Sequence, residues 1–165
     1  MLLRHTRPKG AAGLCYGRLD LDLDDSFEAE LARLTSEIPA VTAIVTSPLS
    51  RCRLLADRLG AVRGMDVRIA PDFIEMDFGS WEGVPWDAVP RQQLDAWAAD
   101  FFQAAPHGGE TVQALADRVA RALVSVPDGA LVVTHAGVIK AALAARAVEG
   151  AWDARPEFGQ IIELG

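Results

Sequence analysis

Apolar positions along the chain follow two patterns that take turns: short β-branched runs, and longer stretches in which apolar residues recur every three or four positions. Met1–Arg4 (MLLR) reads as a very short strand, and a Gly- and Asp-rich loop, GAAGLCYGRLDLDLDD, follows it. Phe27, Leu31 and Leu34 then recur at helical spacing behind Ser26, a residue type suited to capping a helix, and Pro39 closes that region. VTAIVT (Val41–Thr46) is a buried strand by its β-branched run, and SPLSRCRLLADRL starts a helix with Leu54, Leu55 and Leu59 on its apolar side. Met65–Ala70 alternates like a strand, and the stretch from Pro71 to Pro90 is a loop punctuated by Gly79, Gly83 and Pro85.

The second half repeats the scheme. From Trp86 to Phe102 a helical segment carries Leu94, Trp97 and Phe101 on one side, and Pro106 to Gly109 breaks it. Thr111 is placed to cap the helix VQALADRVARALVSV. Ala130–Thr134 is another buried strand, VIKAALAARAV continues as a helix, and FGQIIEL supplies a last strand. Strands alternating with helices predict an α/β sheet covered on both faces.

Composition narrows the setting. A length of 165 residues with 50% hydrophobic and 24% charged residues fits one folded domain. No apolar run approaches the roughly 18–20 residues a membrane helix needs, and the first residues lack the basic-then-apolar pattern of a secretory signal. A cytoplasmic protein with two reduced thiols, Cys15 and Cys52, is therefore expected. The net charge of −7, with no basic stripe, argues against binding to nucleic acid polymers. The three histidines, His5, His107 and His135, have no metal-ligand spacing, so no metal is expected.

Ligands of α/β sheets collect beyond the carboxyl ends of the strands. The first strand ends at Arg4-His5, the second leads to the helix carrying Arg51, the third leads to Glu75, and the fourth ends at Thr134-His135 before Ala136-Gly137. Two arginines, two histidines and one carboxylate thus meet at one sheet edge, the content of a phosphate site, because guanidinium forks match phosphate oxygens. Amides at the helix start near Ala136 and Gly137 would add donors. Singly, each residue has a plainer reading as a surface cation, a packing histidine or a solvated carboxylate.

Other constellations are weaker. Cys52 to Arg58 fits C-x5-R, but the intervening RLLAD is helical in pattern and lacks cradle glycines. The run Asp20, Asp22, Asp24 and Asp25 alternates with leucine as a half-solvated loop does, and His107 reads as a turn residue. Trp81, Trp86 and Trp97 read first as core or lid packing and second as a wall for a ligand.

LLRHT, TSPLSRC, EMDFGSWEG, PHGGET and VVTHAG, in that order, resemble the motifs of the histidine phosphatase superfamily, the phosphoglycerate-mutase-like proteins. The resemblance implies a three-layer α/β/α sandwich with a mostly parallel central sheet, spanning residues 1–165, with a variable cap over approximately 84–109. It implies a metal-independent, acid-type phosphatase without a cofactor, in which His5 is the nucleophile that becomes phosphorylated. Arg4, Arg51 and His135 would clamp the phosphate, a protonated His135 adding its charge, and Glu75 would donate the proton. Ala136, Tyr16 and Gly17 would contribute further substrate or phosphate contacts. Thr6 and the loop GLCYGRLDLDL are similar to alpha-ribazole phosphatases, implying a 5′-phosphate from cobalamin nucleotide-loop assembly as substrate. A broad-specificity phosphatase, a mutase-family protein or a noncatalytic phospho-ligand binding module are the other readings. The expected partner is a small phosphorylated metabolite, with no membrane, and the chain a monomer or homodimer. Three departures stand out: Arg7-Pro8 replaces an acidic stretch common in relatives, Ala136 stands where relatives often have glycine, and the first strand is short, which bears on how firmly His5 is held.

Overall fold

In the computed structural model, which describes residues 1–164, five short strands form one sheet in the order β3–β2–β4–β1–β5. The strands are β1 (Leu2–Arg4), β2 (Ile44–Thr46), β3 (Val67–Ile69), β4 (Leu131–Thr134) and β5 (Ile161–Ile162). The β3–β2, β2–β4 and β4–β1 pairs are parallel, and β5 runs antiparallel to β1. The helices are α1 (Phe27–Glu37), α2 (Ser50–Arg63), α3 (Arg91–Ala99), α4 (Val112–Val124) and α5 (Ala136–Ala145).

The two-residue side-chain period of a strand divides the core into two layers. Leu2, Val45 and Val132 point into a cluster completed by Val112, Leu115 and Val119 of α4 and Val138 and Ile139 of α5. Their neighbours Leu3, Ile44, Leu131 and Val133 face the other way, against Leu31 and Leu34 of α1 and Leu55 and Leu59 of α2. This is the expected α/β/α sandwich. A satellite cluster of Cys15, Trp81 and Val89, with Phe78, Trp86, Leu94 and Trp97 packed on it, lies outside the two layers.

Several boundaries move from those the pattern predicts. The Val41–Thr46 run is strand only from Ile44, because Thr42 turns to bond Gly129 through its amide and Asp128 through its hydroxyl. The alternating Met65–Ala70 run is strand only over Val67–Ile69, and FGQIIEL contributes two strand residues. The Trp86–Phe102 helix is interrupted: a single 3₁₀ turn, Trp86–Ala88, gives way at Pro90 to α3, since proline fits a helix start and not its interior. The Pro71–Pro90 loop likewise contains two further 3₁₀ turns, Pro71–Phe73 and Gly79–Trp81. Ser26 does not cap α1 with its side chain, its hydroxyl bonding Glu30 instead, whereas Thr111 caps α4 by accepting the Ala114 amide at 3.1 Å. Leu54 is 43% exposed, so the buried stripe of α2 runs through Cys52, Leu55, Ala56 and Leu59.

The short β1 is well held. It is paired on both sides, and beyond it the His5 amide donates to Thr134 O at 2.9 Å, extending the β1–β4 ladder to the histidine itself.

Candidate active site

His5 sits where β1 ends, 1% exposed. Its Nδ1 lies 2.7 Å from the carbonyl of Thr6. A carbonyl only accepts, so the proton of the neutral ring belongs on Nδ1 and Nε2 is left with its lone pair. Burial, together with the charges of Arg51 and Arg4, holds this imidazole well below the usual histidine range; the Thr6 bond opposes the shift without reversing it. The ring is therefore neutral at pH 7. Thr6 itself is fully buried, and its backbone carbonyl is what reaches the site.

His135, at the end of β4, stands edge-on to His5 with ring centroids 5.1 Å apart. Its Nε2 shares a 2.7 Å hydrogen bond with Ser47 Oγ, a buried residue at the end of β2. Burial first, then the neighbouring His5 ring and the charges of Arg51, Arg4 and Arg118, push its pKa well below the histidine range. The ring is therefore neutral at pH 7, against the expectation of a protonated His135.

Arg51 is wholly buried on the first turn of α2 and donates to the carbonyls of Gly17 (2.5 Å) and Leu19 (2.8 Å). Asp20 lies 3.6 Å from its guanidinium and accepts the amide of Ser50 at the start of the same helix. Arg4 donates to Pro156 O at 2.7 Å and stacks 3.8 Å over the ring of Phe158. Arg4 Nε, Arg51 Nε and the Tyr16 hydroxyl are buried and find no acceptor among the described residues. Buried donors are nearly always paired, and three unpaired ones around two guanidinium groups suit an oxyanion.

Glu75 follows Phe73–Ile74 off β3 and is 8% exposed. Its Oε1 accepts the amide of Met76 at 2.9 Å and its Oε2 the amide of Gly137 at 3.0 Å. The Gly137 amide at the start of α5 is thus committed to Glu75 rather than free for an anion. A Cβ there would fall 2.4 Å from Glu75 Oε1, so a larger residue would push the carboxyl off the amide. Gly17 also departs from expectation: its amide donates to Glu82 Oε2 at 2.9 Å and its carbonyl holds Arg51, so its backbone serves the clamp indirectly. A Cβ on it would run into Met76 O at 1.8 Å.

A cavity of about 350 Å³ opens against Arg4, His5, Tyr16 and Glu75, with the wholly buried Arg51 and His135 behind its lining. Arg4, His5, Tyr16, Glu75, Ala136 and Gly137 form its polar end; Phe78, Trp86, Trp97, Phe101 and Trp152 line the rest, with Lys140 as a further cation. The aromatic residues of the 84–109 segment that read first as packing are both: Trp97 packs on Trp81 and Phe78 and also faces the cavity.

The remaining candidates are structural. His107 is buried at its turn, accepts the Gly109 amide at Nδ1 and packs 4.8 Å from Trp81. Cys15 is buried beside Glu82, and its thiol is pushed up to about 12; burial raises Cys52 as well, so neither is a thiolate at neutral pH. Among the described residues no three His, Cys, Asp or Glu side chains gather as metal ligands, and no helix is long and apolar enough to cross a membrane. Ser47, Glu82 and the Glu110–Arg118 pair are not among the residues the sequence pattern singles out, and Asp20 stands there only as one carboxylate of a loop. Glu82 and Glu110 lie inside the stretches EMDFGSWEG and PHGGET, which was the available signal.

Residues 1–160 match the profile of the "Histidine phosphatase superfamily (branch 1)". The chain belongs to that superfamily. It is 30% identical over 127 residues to the adenosylcobalamin/alpha-ribazole phosphatase of Escherichia coli, covering 70% of this chain and 63% of that protein. It is 31% identical over 157 residues to the metal-independent phosphoserine phosphatase of Arabidopsis thaliana, covering 86% of this chain and 65% of that one. The chain thus spans slightly less than two thirds of either relative. The crystal structure of a phosphoglycerate mutase from Thermus thermophilus superposes with a TM-score of 0.73 at 31% identity, covering 97% of this chain and 85% of the other. These relatives of a histidine phosphatase chain carry three different substrate names, so membership alone leaves the leaving group open.

Proposed function

We propose that this protein hydrolyses a phosphomonoester through a phosphohistidine on His5, and that the alcohol it releases carries a flat apolar ring, as in alpha-ribazole 5′-phosphate. The observation that carries the reading is the position of a neutral His5, its Nδ1 tied to Thr6, between two guanidinium groups and an aromatic-lined cavity. The Nε2 lone pair attacks phosphorus, the P–N bond forms, and the P–O ester bond breaks in line with it. Arg4 and Arg51 offset charge on the equatorial oxygens. Glu75, protonated at that moment, gives its proton to the departing alkoxide. Water then attacks the phosphohistidine, Glu75 takes a proton from it, the P–N bond breaks, and inorganic phosphate leaves. The two arginines supply the positive charge that a metal ion supplies in other phosphatases, so turnover is expected to survive a chelator.

The aromatic walls favour a planar apolar leaving group, because ring faces and edges reward stacked or edge-on partners. Lys140 on the cavity lining favours a second reading, an alcohol bearing an anionic group such as a carboxylate. A panel of phosphomonoesters read as kcat/KM separates them. A preference of about tenfold or more for alpha-ribazole 5′-phosphate over phosphoserine and small alkyl phosphates supports the first; the reverse order supports the second. A protein that binds vanadate yet turns over neither p-nitrophenyl phosphate nor any panel member would be a binding module instead.

A further inference from the structure

The arginine on α4, Arg118, lies outside the phosphate clamp, is 8% exposed, and commits all five of its N–H donors. Nε and one Nη2 hydrogen go to the two oxygens of Glu110, at 2.7 and 2.9 Å. Nη1 donates to the carbonyls of Asp72 (2.6 Å) and Ile74 (2.7 Å), and Nη2 also to the carbonyl of Glu75 (3.1 Å). Three carbonyls within four residues are thus drawn to one guanidinium, and the last belongs to Glu75 itself. The segment leaves the edge strand β3 and passes through one 3₁₀ turn; Phe73 is pinned by its buried ring and by the Thr134 hydroxyl on its carbonyl at 2.8 Å, whereas the carbonyls on either side of it, and that of Glu75, go to Arg118. Glu110 closes the arrangement from the other end, since the Glu110 amide donates to Asp77 O at 2.8 Å, two residues beyond Glu75.

From this geometry we infer that Arg118, paired with Glu110, is a positioning residue for Glu75, setting where its carboxyl meets the leaving-group oxygen. The inference rests on Glu75 being the proton donor. A guanidinium is the side chain that can do this, because it presents five donors in a fixed fork; an ammonium has three and no fork. Arg118→Lys keeps the charge and loses the geometry. The carboxyl would keep its bonds to the Met76 and Gly137 amides, but the Ile74 and Glu75 carbonyls would lose the fork that sets their place, and displacement of a reacting group by about an ångström costs on the order of 100-fold.

The role has a signature that general destabilisation lacks. Proton donation matters for a poor leaving group and little for a good one, so kcat/KM, which reports the steps through the first phosphoryl transfer, is compared on p-nitrophenyl phosphate and on an alkyl phosphate. Arg118→Lys and Glu110→Gln are expected to lose on the order of 10- to 100-fold on the alkyl ester, within the range a general acid supplies, and less than about threefold on the aryl ester. Inhibition by vanadate, which reads the arginine clamp, should stay within about twofold. Glu75→Gln is run beside them. If Glu75→Gln shows the leaving-group dependence and both other variants lose equally on the two esters, or lose nothing, the inference is overturned. If Glu75→Gln shows no such dependence, the proton-donor reading itself has failed. Glu110→Gln keeps the test open should Arg118→Lys not fold.

Discussion

Glu82 and Arg51 hold the same stretch of chain from two sides. The carboxylate of Glu82 accepts the amides of Gly17, Arg18 and Leu19 at 2.9 to 3.0 Å, and that of Phe78 at 3.0 Å. The guanidinium of Arg51 donates to the carbonyls of Gly17 and Leu19. The loop that fixes the buried arginine is therefore itself fixed by an acid from the SWEG turn.

Glu82→Gln should weaken the phosphate grip. The amide offers one acceptor and turns an NH₂ toward backbone N–H groups, so at least one charge-assisted bond is lost, worth about 1.5–3 kcal/mol. The vanadate inhibition constant and KM are expected to rise about tenfold, the lower end of that loss. The loss in kcat/KM should be equal on aryl and alkyl phosphates, which separates this variant from those that disturb Glu75. Unchanged vanadate inhibition would refute the role.

His5→Asn should keep the fold and lose turnover by at least about 10³-fold, the order seen when a nucleophile is removed. Labelled phosphate from substrate should appear on the wild-type chain as an acid-labile, base-stable adduct and be absent from the variant. Labelling that persists in the variant would move the nucleophile elsewhere.

Acid should destabilise the protein before the carboxylates titrate. His5, His135 and His107 all have folded pKa values lowered by burial. Below about pH 6.5 the unfolded chain binds protons that the folded chain refuses. The stability contributed by the neutral imidazoles is thus complete above that pH and is lost as pH falls toward the folded values. Denaturant titrations at about pH 7.5, 6.5 and 5.5 should show a falling unfolding free energy, with a shallower slope in His135→Gln. A flat profile would contradict the buried, neutral assignment.

Trp86→Ala tests the cavity wall. It removes an aromatic face that packs 5.6 Å from Phe78 and lines the cavity. kcat/KM on alpha-ribazole 5′-phosphate should fall about tenfold, the scale of one aromatic contact with its buried area, while a small alkyl phosphate should change less than about twofold.

The layered fold and the meeting of His5, Arg4, Arg51, Glu75 and His135 were legible because both rest on short-range pattern. Strand ends can be read from β-branched runs, and a sheet of alternating units brings those ends to one edge. What stayed hidden depends on long-range pairing. Asp20 looked like one of several loop carboxylates, and only the approach of α2 gives it Ser50 and Arg51 as partners. Arg118 lies within the helical pattern VQALADRVARALVSV, and nothing local says that a carbonyl-rich loop will fold onto it. The neutral state of His135 follows from burial among cations, which no spacing encodes.

β1 is first in the chain and fourth across the sheet, between β4 and β5. Its registers, Leu2 with Val132 and Leu3 with Ile161, join segments far apart in the sequence. During synthesis the segment bearing His5 precedes β4, and Leu2 and Leu3 lack their β4 partners until that strand has been made. Pairings so distant in sequence are slow to close. Because the His5 amide bonds Thr134 O, that histidine has no fixed place until β4 lies beside β1, and completing the sheet and setting His5 are one requirement.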